Sequence, residues 1–386
     1  MQVHDQQTAG ADFVKIWYIV QGTDTEKAAR STLPLVQAAI DEAHKLHMRV
    51  ALHATQRISA QLAVEAGADF LVHSVDDEVV SREFIQLLRK KKTVLCPTLL
   101  VGLNYMKVFG KNYVFAPGEL DITHPDIAAT IIDYPLPDTA AGNRLIGRVN
   151  SERARQFQAL DDSIMQVNLQ LLVKGGVTIA SGTDAGNIGT QHVSSFFAEL
   201  AAMHNQGMDN WQVLQASTIN GAKAVGRDTV WGSISKGKTA NMLLLDANPV
   251  DSLANLRRIS RVISKGVVLR PDSLVLYTPA ELAQQQLNAY NAHDLEGFLA
   301  PYADDVEIYT FPDKLDAKGK DKMREMYSFL KKSPTLYCKL LNRVVQGNFV
   351  IDHEEILGVP GAPFYGIAIY VIRDGKISKV YFPEVK

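Results

Sequence analysis

From residue 13 to residue 182 the chain repeats one unit, a short apolar run followed by a longer helix-like stretch. The runs at 13–20, 49–53, 69–73, 93–96 and 177–182 are built from large or β-branched apolar residues and do not alternate with polar ones. Strands of that kind are buried on both faces. Their alternation with helices implies a parallel sheet with helical crossovers, an α/β fold. The intervening helices are expected at 31–48, with Ser31 or Thr32 as cap and Pro34 near the first turn, at 58–66, closed by Gly67, and at 78–91, which ends in basic residues. After a long insertion, 143–174 is expected to be helical. Five parallel strands fit an open doubly wound sheet, or about five of the eight strands of a (β/α) barrel.

The pattern then changes. Residues 187–228 read as mostly helical, and 231–246 and 259–269 as strands turning at Lys236-Gly237 and Lys265-Gly266. A linker with two prolines, 270–279, precedes a region where helices come first and long antiparallel strands follow, an α+β pattern. The expected organisation is a barrel-like region at 1–230, a small β-segment at 231–272 and a separate α+β domain at 280–386. A length of 386 residues suits more than one core. A net charge of −2 argues against a nucleic-acid partner. Two cysteines in different regions, Cys96 and Cys338, exclude a disulfide framework. No apolar run reaches the roughly 18 residues of a membrane span. The first residues carry neither the basic start nor the apolar run of a secretory signal, so the sequence as written reads as cytoplasmic.

Polar residues close three of the strands. His53 ends Arg-Val-Ala-Leu-His, His73 ends Asp-Phe-Leu-Val-His, and Asp184 follows Ile-Ala-Ser-Gly-Thr. In (β/α) barrels the active site is assembled from such positions on several strands. Singly, each histidine reads as a loop or core residue and Asp184 as a helix cap; together, at matching strand ends, they point to one site. Lys15 lies among strand formers in Asp-Phe-Val-Lys-Ile-Trp. A buried lysine is costly unless paired or neutralised, the alternative being an edge strand with Lys15 facing water. A deprotonated lysine can take up carbon dioxide to become an anionic oxygen ligand. With neutral imidazoles and a carboxylate, that set suits zinc or a similar divalent ion. His44 and His47 sit on a charged helix end, Arg89 to Lys92 form a basic helix terminus, and Cys96 reads as a small buried residue.

The stretches GADFVKIW, VALHA, AGADFLVHS and ASGTDAG resemble the fourth, fifth, sixth and eighth strands of the amidohydrolase superfamily, in its imidazolonepropionase-like and Xaa-Pro-dipeptidase-like branch. The similarity runs through ASTINGAKAVG and GSISKGKTANMLLLDANPVDSLANLRRISRVISKGVVL, the latter resembling the closing β-segment, with Ala240-Asn241 where the family usually has Ala-Asp. The resemblance implies that Lys15 is a bridging carboxylated lysine, His53 and His73 ligands of a second metal, and Asp184 a first-metal ligand and proton shuttle. His192 either faces the substrate or is a surface residue. The implied reaction is hydrolysis of an amide or cyclic-amide C–N bond by metal-activated hydroxide, on a dipeptide, lactam or similar small molecule.

The chain departs from that family in lacking any His-x-His pair, which in the family holds the first metal. It resembles an N-terminally shortened member, and members of this branch often carry a secretion signal that shortening would remove. At most one metal equivalent is then expected, with weak or no hydrolase activity. The segments QLNAYNAHDLEGFLAPYADDVEIY, LLNRVVQGNFVIDHEEI and IAIYVIRDGKISKVYF resemble the SnoaL-like branch of the nuclear-transport-factor-2-like superfamily, whose curved sheet encloses a conical pocket. That resemblance implies small-molecule binding or homo-oligomerisation. The aspartate base of the fold's isomerases falls at Thr310 and their helix tyrosine near Gln286, with Tyr290 one turn away, which argues against isomerase chemistry. Asp352, His353 and Glu354 either line a pocket or reflect strand alternation. The alternative to an enzyme is an inactive amidohydrolase remnant whose working part is the C-terminal domain.

Overall fold

The computed structural model describes residues 2–133, 138–361 and 363–384. It divides into two compact units, Met1–Gly110 with Asn143–Pro271, and Lys111–Gly142 with Asp272–Lys386.

In the first unit, β1 (Phe13–Trp17), β2 (Arg49–His53), β3 (Phe70–Val72) and β4 (Val94–Cys96) form a parallel sheet in the order β1-β2-β3-β4. Strands are added in one direction only, without the reversal that defines a doubly wound sheet. The register aligns Trp17, His53, Val72 and Cys96 in one row at the carboxyl ends. Residues 177–182 do not make the expected fifth strand. They contribute a single parallel bridge, Ile179 to Leu95, because the ladder leaves β4 when Ser181 N–H donates to the Ala216 carbonyl instead.

The crossover helices Thr25–Lys45, Arg57–Ala66 and Arg82–Lys91 pack Ile40, Leu62 and Leu88 against Val50, Leu52, Leu71 and Leu95. The first helix begins well before Ser31. Its cap is Asp24, which accepts from Lys27 N–H at 3.0 Å, and Pro34 lies inside it. Thr25, Glu26, Lys27 and Arg30 make the opening turns polar, so apolar spacing could not reveal them. The Ser31 and Thr32 hydroxyls bond within the helix, to the Ala28 carbonyl. The expected helix at 143–174 is two, Ala140–Val149 and Glu152–Lys174, separated where the Ser151 side chain caps the second. Gly67, at φ 109°, ends Arg57–Ala66 in the left-handed conformation that favours glycine. β5 (Met242–Leu245), β6 (Ile259–Ser264) and β7 (Val267–Leu269) form a separate antiparallel sheet turning at Lys265-Gly266.

The second unit holds β8 (Tyr302–Thr310), β9 (Lys314–Lys318), β10 (Tyr337–Gln346), β11 (Phe349–Leu357), β12 (Phe364–Arg373) and β13 (Lys376–Phe382), in the order β10-β11-β12-β13-β8-β9. Every pairing is antiparallel except β13 with β8. The helix Pro279–Asn291 lies on this sheet, its start fixed by a capping box between Thr278 and Glu281. The inserted segment 111–142, which the sequence pattern leaves within the barrel-like region, belongs here. Its helix Pro125–Ile132 buries Ala128 in the second unit's core, and the Asn288 side chain donates to the Pro125 carbonyl at 2.7 Å.

Asn288 is 2% exposed, so losing this bond strands a buried carbonyl. Asn288→Leu is expected to destabilise the second unit by about 1–3 kcal/mol in denaturant unfolding. A change below about 0.5 kcal/mol, the scatter of ordinary surface substitutions, would show that the insertion is not held this way.

Candidate active site

The carboxyl ends of β1 to β4 open into a cavity of about 370 Å³ lined by Lys15, His53, His73 and Asp184. All four side chains singled out in the sequence therefore meet at one place. Contrary to the expectation of burial, β1 is an edge strand among the described residues, and the Lys15 side chain is 46% exposed. Its ammonium lies 3.9 Å from Asp184 Oδ1, a contact screened by water and weak in itself.

The histidines are buried, each 8% exposed. Trp17 stacks on the His53 ring at 3.8 Å, and His53 meets His73 edge-on at 4.1 Å. His73 Nδ1 lies 2.6 Å from Thr98 Oγ1, whereas His73 Nε2 and His53 Nδ1 are buried without a hydrogen-bond partner. Burial, above all, holds both imidazoles neutral, with pKa values lowered to about 4. Lys15 adds to the effect for each, His73 does so for His53, and the Asp184 carboxylate opposes it. His73, Thr98 and Asp184 have φ of 75°, 48° and 55°. Such conformations cost of order 1–3 kcal/mol each and collect at functional sites.

Asp184 is oriented from its own loop. The Asn187 side-chain amide donates to Asp184 Oδ2, and the Tyr105 hydroxyl donates to Asn187 Oδ1. Gly182 permits the approach of this loop to β4, since a Cβ there would sit 2.3 Å from Cys96 Sγ. Burial, with Glu199 and Asp184 nearby, pushes the Cys96 thiol up to about 12, so it stays protonated and inert.

The sequence profile described as "Amidohydrolase family" matches residues 15–269, more than half of the chain. This chain belongs to the amidohydrolase family. A second profile, the SnoaL-like domain, matches residues 283–380. Imidazolonepropionase of Shouchella clausii is 37% identical over 97 residues, 25% of this chain and 21% of that protein. The 5-methylthioadenosine/S-adenosylhomocysteine deaminase of Teredinibacter turnerae is 31% identical over 87 residues, 21% of this chain and 20% of that protein. These matches span about a fifth of each curated relative. The structure of a prolidase-like protein from Bifidobacterium longum superposes with a TM-score of 0.51 at 22% identity, over 73% of this chain and 61% of that one, a likeness of fold.

Within the amidohydrolase unit, His192 is exposed and outside the cavity lining. Asn187, Tyr105 and Thr98 are the positioning side chains that sequence reading missed; none stands in a recognisable pattern. The grouping of three His, Cys, Asp or Glu ligand atoms within 4.8 Å of one another, among the described residues, lies in the second unit, at His124, Asp126 and Glu281. Helix ends explain it: Glu281 completes the Thr278 capping box and pairs with His124 at 3.0 Å. In the SnoaL-like unit, Thr310, Gln286, Tyr290 and Glu354 line a second cavity of about 400 Å³. Asp352 is fully buried but held by Arg343 through two bonds of 2.7 Å, and His353 is exposed on the opposite face.

Glu199, 1% exposed, fixes the loop after β4 by accepting from Leu99 N–H at 2.8 Å. Burial raises its carboxyl from 4.5 to about 8. The folded protein keeps this proton where the unfolded chain has lost it, so Glu199 erodes stability as pH rises from about 4.5 toward 8. Glu199→Gln keeps the acceptor and removes the titration. The variant is expected to lose several degrees less of melting temperature than the parent between mildly acidic and mildly alkaline buffer. Equal losses would show that Glu199 is ionised in the fold.

Proposed function

We propose that the first unit is a metal-dependent hydrolase of amide or cyclic-amide C–N bonds, and that the SnoaL-like unit is a small-molecule pocket. The observation that carries the first part is the pair of buried, unpartnered imidazole nitrogens, His53 Nδ1 and His73 Nε2, in side chains that share a cavity with Lys15 and Asp184. A buried polar atom without a partner costs about 1–3 kcal/mol, so two at one strand-end cavity suit a ligand that takes up both lone pairs.

The donor set fits a divalent ion of the zinc type. Neutral imidazole is the form that binds metal, and burial keeps both rings neutral. In the tautomer whose Nδ1–H donates to Thr98 Oγ1, Nε2 is left as the acceptor, the orienting contact typical of a ligating histidine. Lys15, His53 and His73 would hold the ion, Lys15 as its carboxylated, anionic form, with Asp184 beside it. Bound there, a divalent ion supplies Lewis acidity and makes water acidic enough to give a nucleophile near neutral pH.

The chain's own residues account for the rest. Asp184, steadied by Asn187 and Tyr105, is the group placed to take a proton and return it to the leaving nitrogen. Trp17, Leu99 and Met165 give the cavity apolar walls. A volume of about 370 Å³ accommodates a dipeptide, lactam or N-acyl amino acid.

The ligand count sets the stoichiometry. Lys15, His53 and His73 suffice for one ion, as three protein ligands do in many catalytic zinc sites. A second ion would have only Lys15 and Asp184. Protein stripped by chelator and titrated with zinc is therefore expected to bind one equivalent, lost in His53→Ala and His73→Ala. Two tightly held equivalents would contradict the ligand assignment. None in folded protein would remove the hydrolase reading and leave the SnoaL-like unit as the working part. Hydrolysis of dipeptides, lactams or N-acyl amino acids by the zinc-loaded chain, abolished by Asp184→Asn, tests the reaction.

A further inference from the structure

The cavity of the SnoaL-like unit is walled mainly by rings, among them Tyr290, Phe298, Tyr302, Tyr327, Phe329 and Tyr370. Its described lining contains no lysine, arginine or histidine, and its two charged residues are both acids, Glu354 and Asp316. Asp316 stands at the exposed end, accepting from the Thr310 hydroxyl at 2.6 Å. Glu354 is 9% exposed, on the inward face of β11 between Asp352 and Ile356. The nearby cation, Arg343, is engaged by Asp352, and Glu354 has no ion pair among the described residues.

The hydrogen bonds around Glu354 have a direction. Tyr302 OH donates to Gln286 Oε1 at 3.4 Å, Gln286 Nε2 donates to Tyr370 Oη at 2.9 Å, and Tyr370 OH donates to Glu354 Oε1 at 3.5 Å. The Cys338 thiol also lines this cavity. This chain ends on Glu354 as an acceptor, the arrangement suited to a carboxylate. Burial works against the charge and, with Asp352, raises Glu354 to about 7. Arg343 attracts this carboxylate only from a distance, being paired with Asp352, so Glu354 lacks a directly paired cation, and the surrounding ring faces attract the same charge.

We infer that this cavity binds an organic amine: a compact apolar body whose ammonium pairs with Glu354 while the aromatic walls enclose the rest. The inference rests on reading the SnoaL-like unit as a small-molecule pocket and names its ligand class. Lining of one sign discriminates as well as attracts, because a carboxylate ligand would meet Glu354 without a paired base, while Asp316 at the mouth is paired with Lys314 at 3.7 Å.

The test uses the intact protein and three probes with a common phenylethyl body: 2-phenylethylamine, 2-phenylethanol and 3-phenylpropanoate, titrated calorimetrically at slightly alkaline pH. The amine is expected to bind at least about ten-fold tighter than the alcohol, with the anion not binding. Glu354→Gln should remove that preference and leave alcohol binding unchanged. Gly366 pairs with Glu354 across β11 and β12 and lines the cavity, and a Cβ there meets nothing within 4 Å, so Gly366→Phe directs a ring into the cavity and should abolish binding of every probe. Alcohol binding as tight as amine binding, both blocked by Gly366→Phe, would overturn the amine assignment and leave the pocket reading standing. No binding of any probe to folded protein, or binding that survives Gly366→Phe, would overturn both. The comparison of amine with alcohol on the unaltered protein decides the ligand class even where Glu354→Gln does not fold.

Discussion

Two imidazoles held neutral in a buried, unsatisfied state are the constraint around which the first unit is arranged. Each sits at or just beyond the end of a parallel strand, and the register of β1 to β4 brings those ends into one row. The helices behind the sheet supply its other packed face, with Ile40, Leu62 and Leu88 under Leu52 and Leu71. The opposite end of the strands is where polar residues can turn inward. Trp17 covers one ring, Thr98 fixes the other, and Glu199 anchors the loop that carries Thr98. Strained backbone at His73, Thr98 and Asp184 is sustained by that packed scaffold.

The second unit solves a related problem with the opposite charge. Its inward face of β11 carries Val350, Asp352, Glu354 and Ile356 in alternation, two acids among apolar residues. Asp352 is neutralised within the fold by Arg343, whereas Glu354 opens onto a cavity and collects donors. The same strand thus holds one acid used for structure and one left available. In the first unit a similar division separates His73 Nδ1, bonded to Thr98, from His73 Nε2, left free.

Much of this was legible in the sequence, and the failures have physical causes. Apolar runs without alternation gave β1 to β4, because strands buried on both faces admit no polar period. The histidines were visible as polar residues ending such runs. Lys15 was found for a reason that does not hold: strand formers flank it, yet β1 is an edge and the side chain reaches water. Residues 177–182 have a strand's composition, but a backbone bond from Ser181 to Ala216 takes them out of the ladder, a long-range contact with no local mark. The same holds for the insertion at 111–142, whose helix finds its partner in Pro279–Asn291. Asn187, Tyr105 and Thr98 orient their neighbours through contacts between 3 and 82 positions apart, which a lone sequence does not encode in any readable pattern. In the SnoaL-like unit, Glu354 was noticed only as one of three adjacent polar residues; strand alternation and the Arg343 pair separate its role from that of Asp352 and His353.

The strand-end residues Lys15, His53 and His73, and not the grouping of His124, Asp126 and Glu281, are proposed to take up metal. X-ray absorption at the zinc edge on protein carrying one equivalent tests it directly, since imidazole back-scattering counts the histidine ligands. Two imidazoles with oxygen ligands completing the set are expected, and no protein-bound zinc in His73→Ala. A site with a single imidazole, unchanged by that substitution, would place the metal at His124 and rule out the strand-end site.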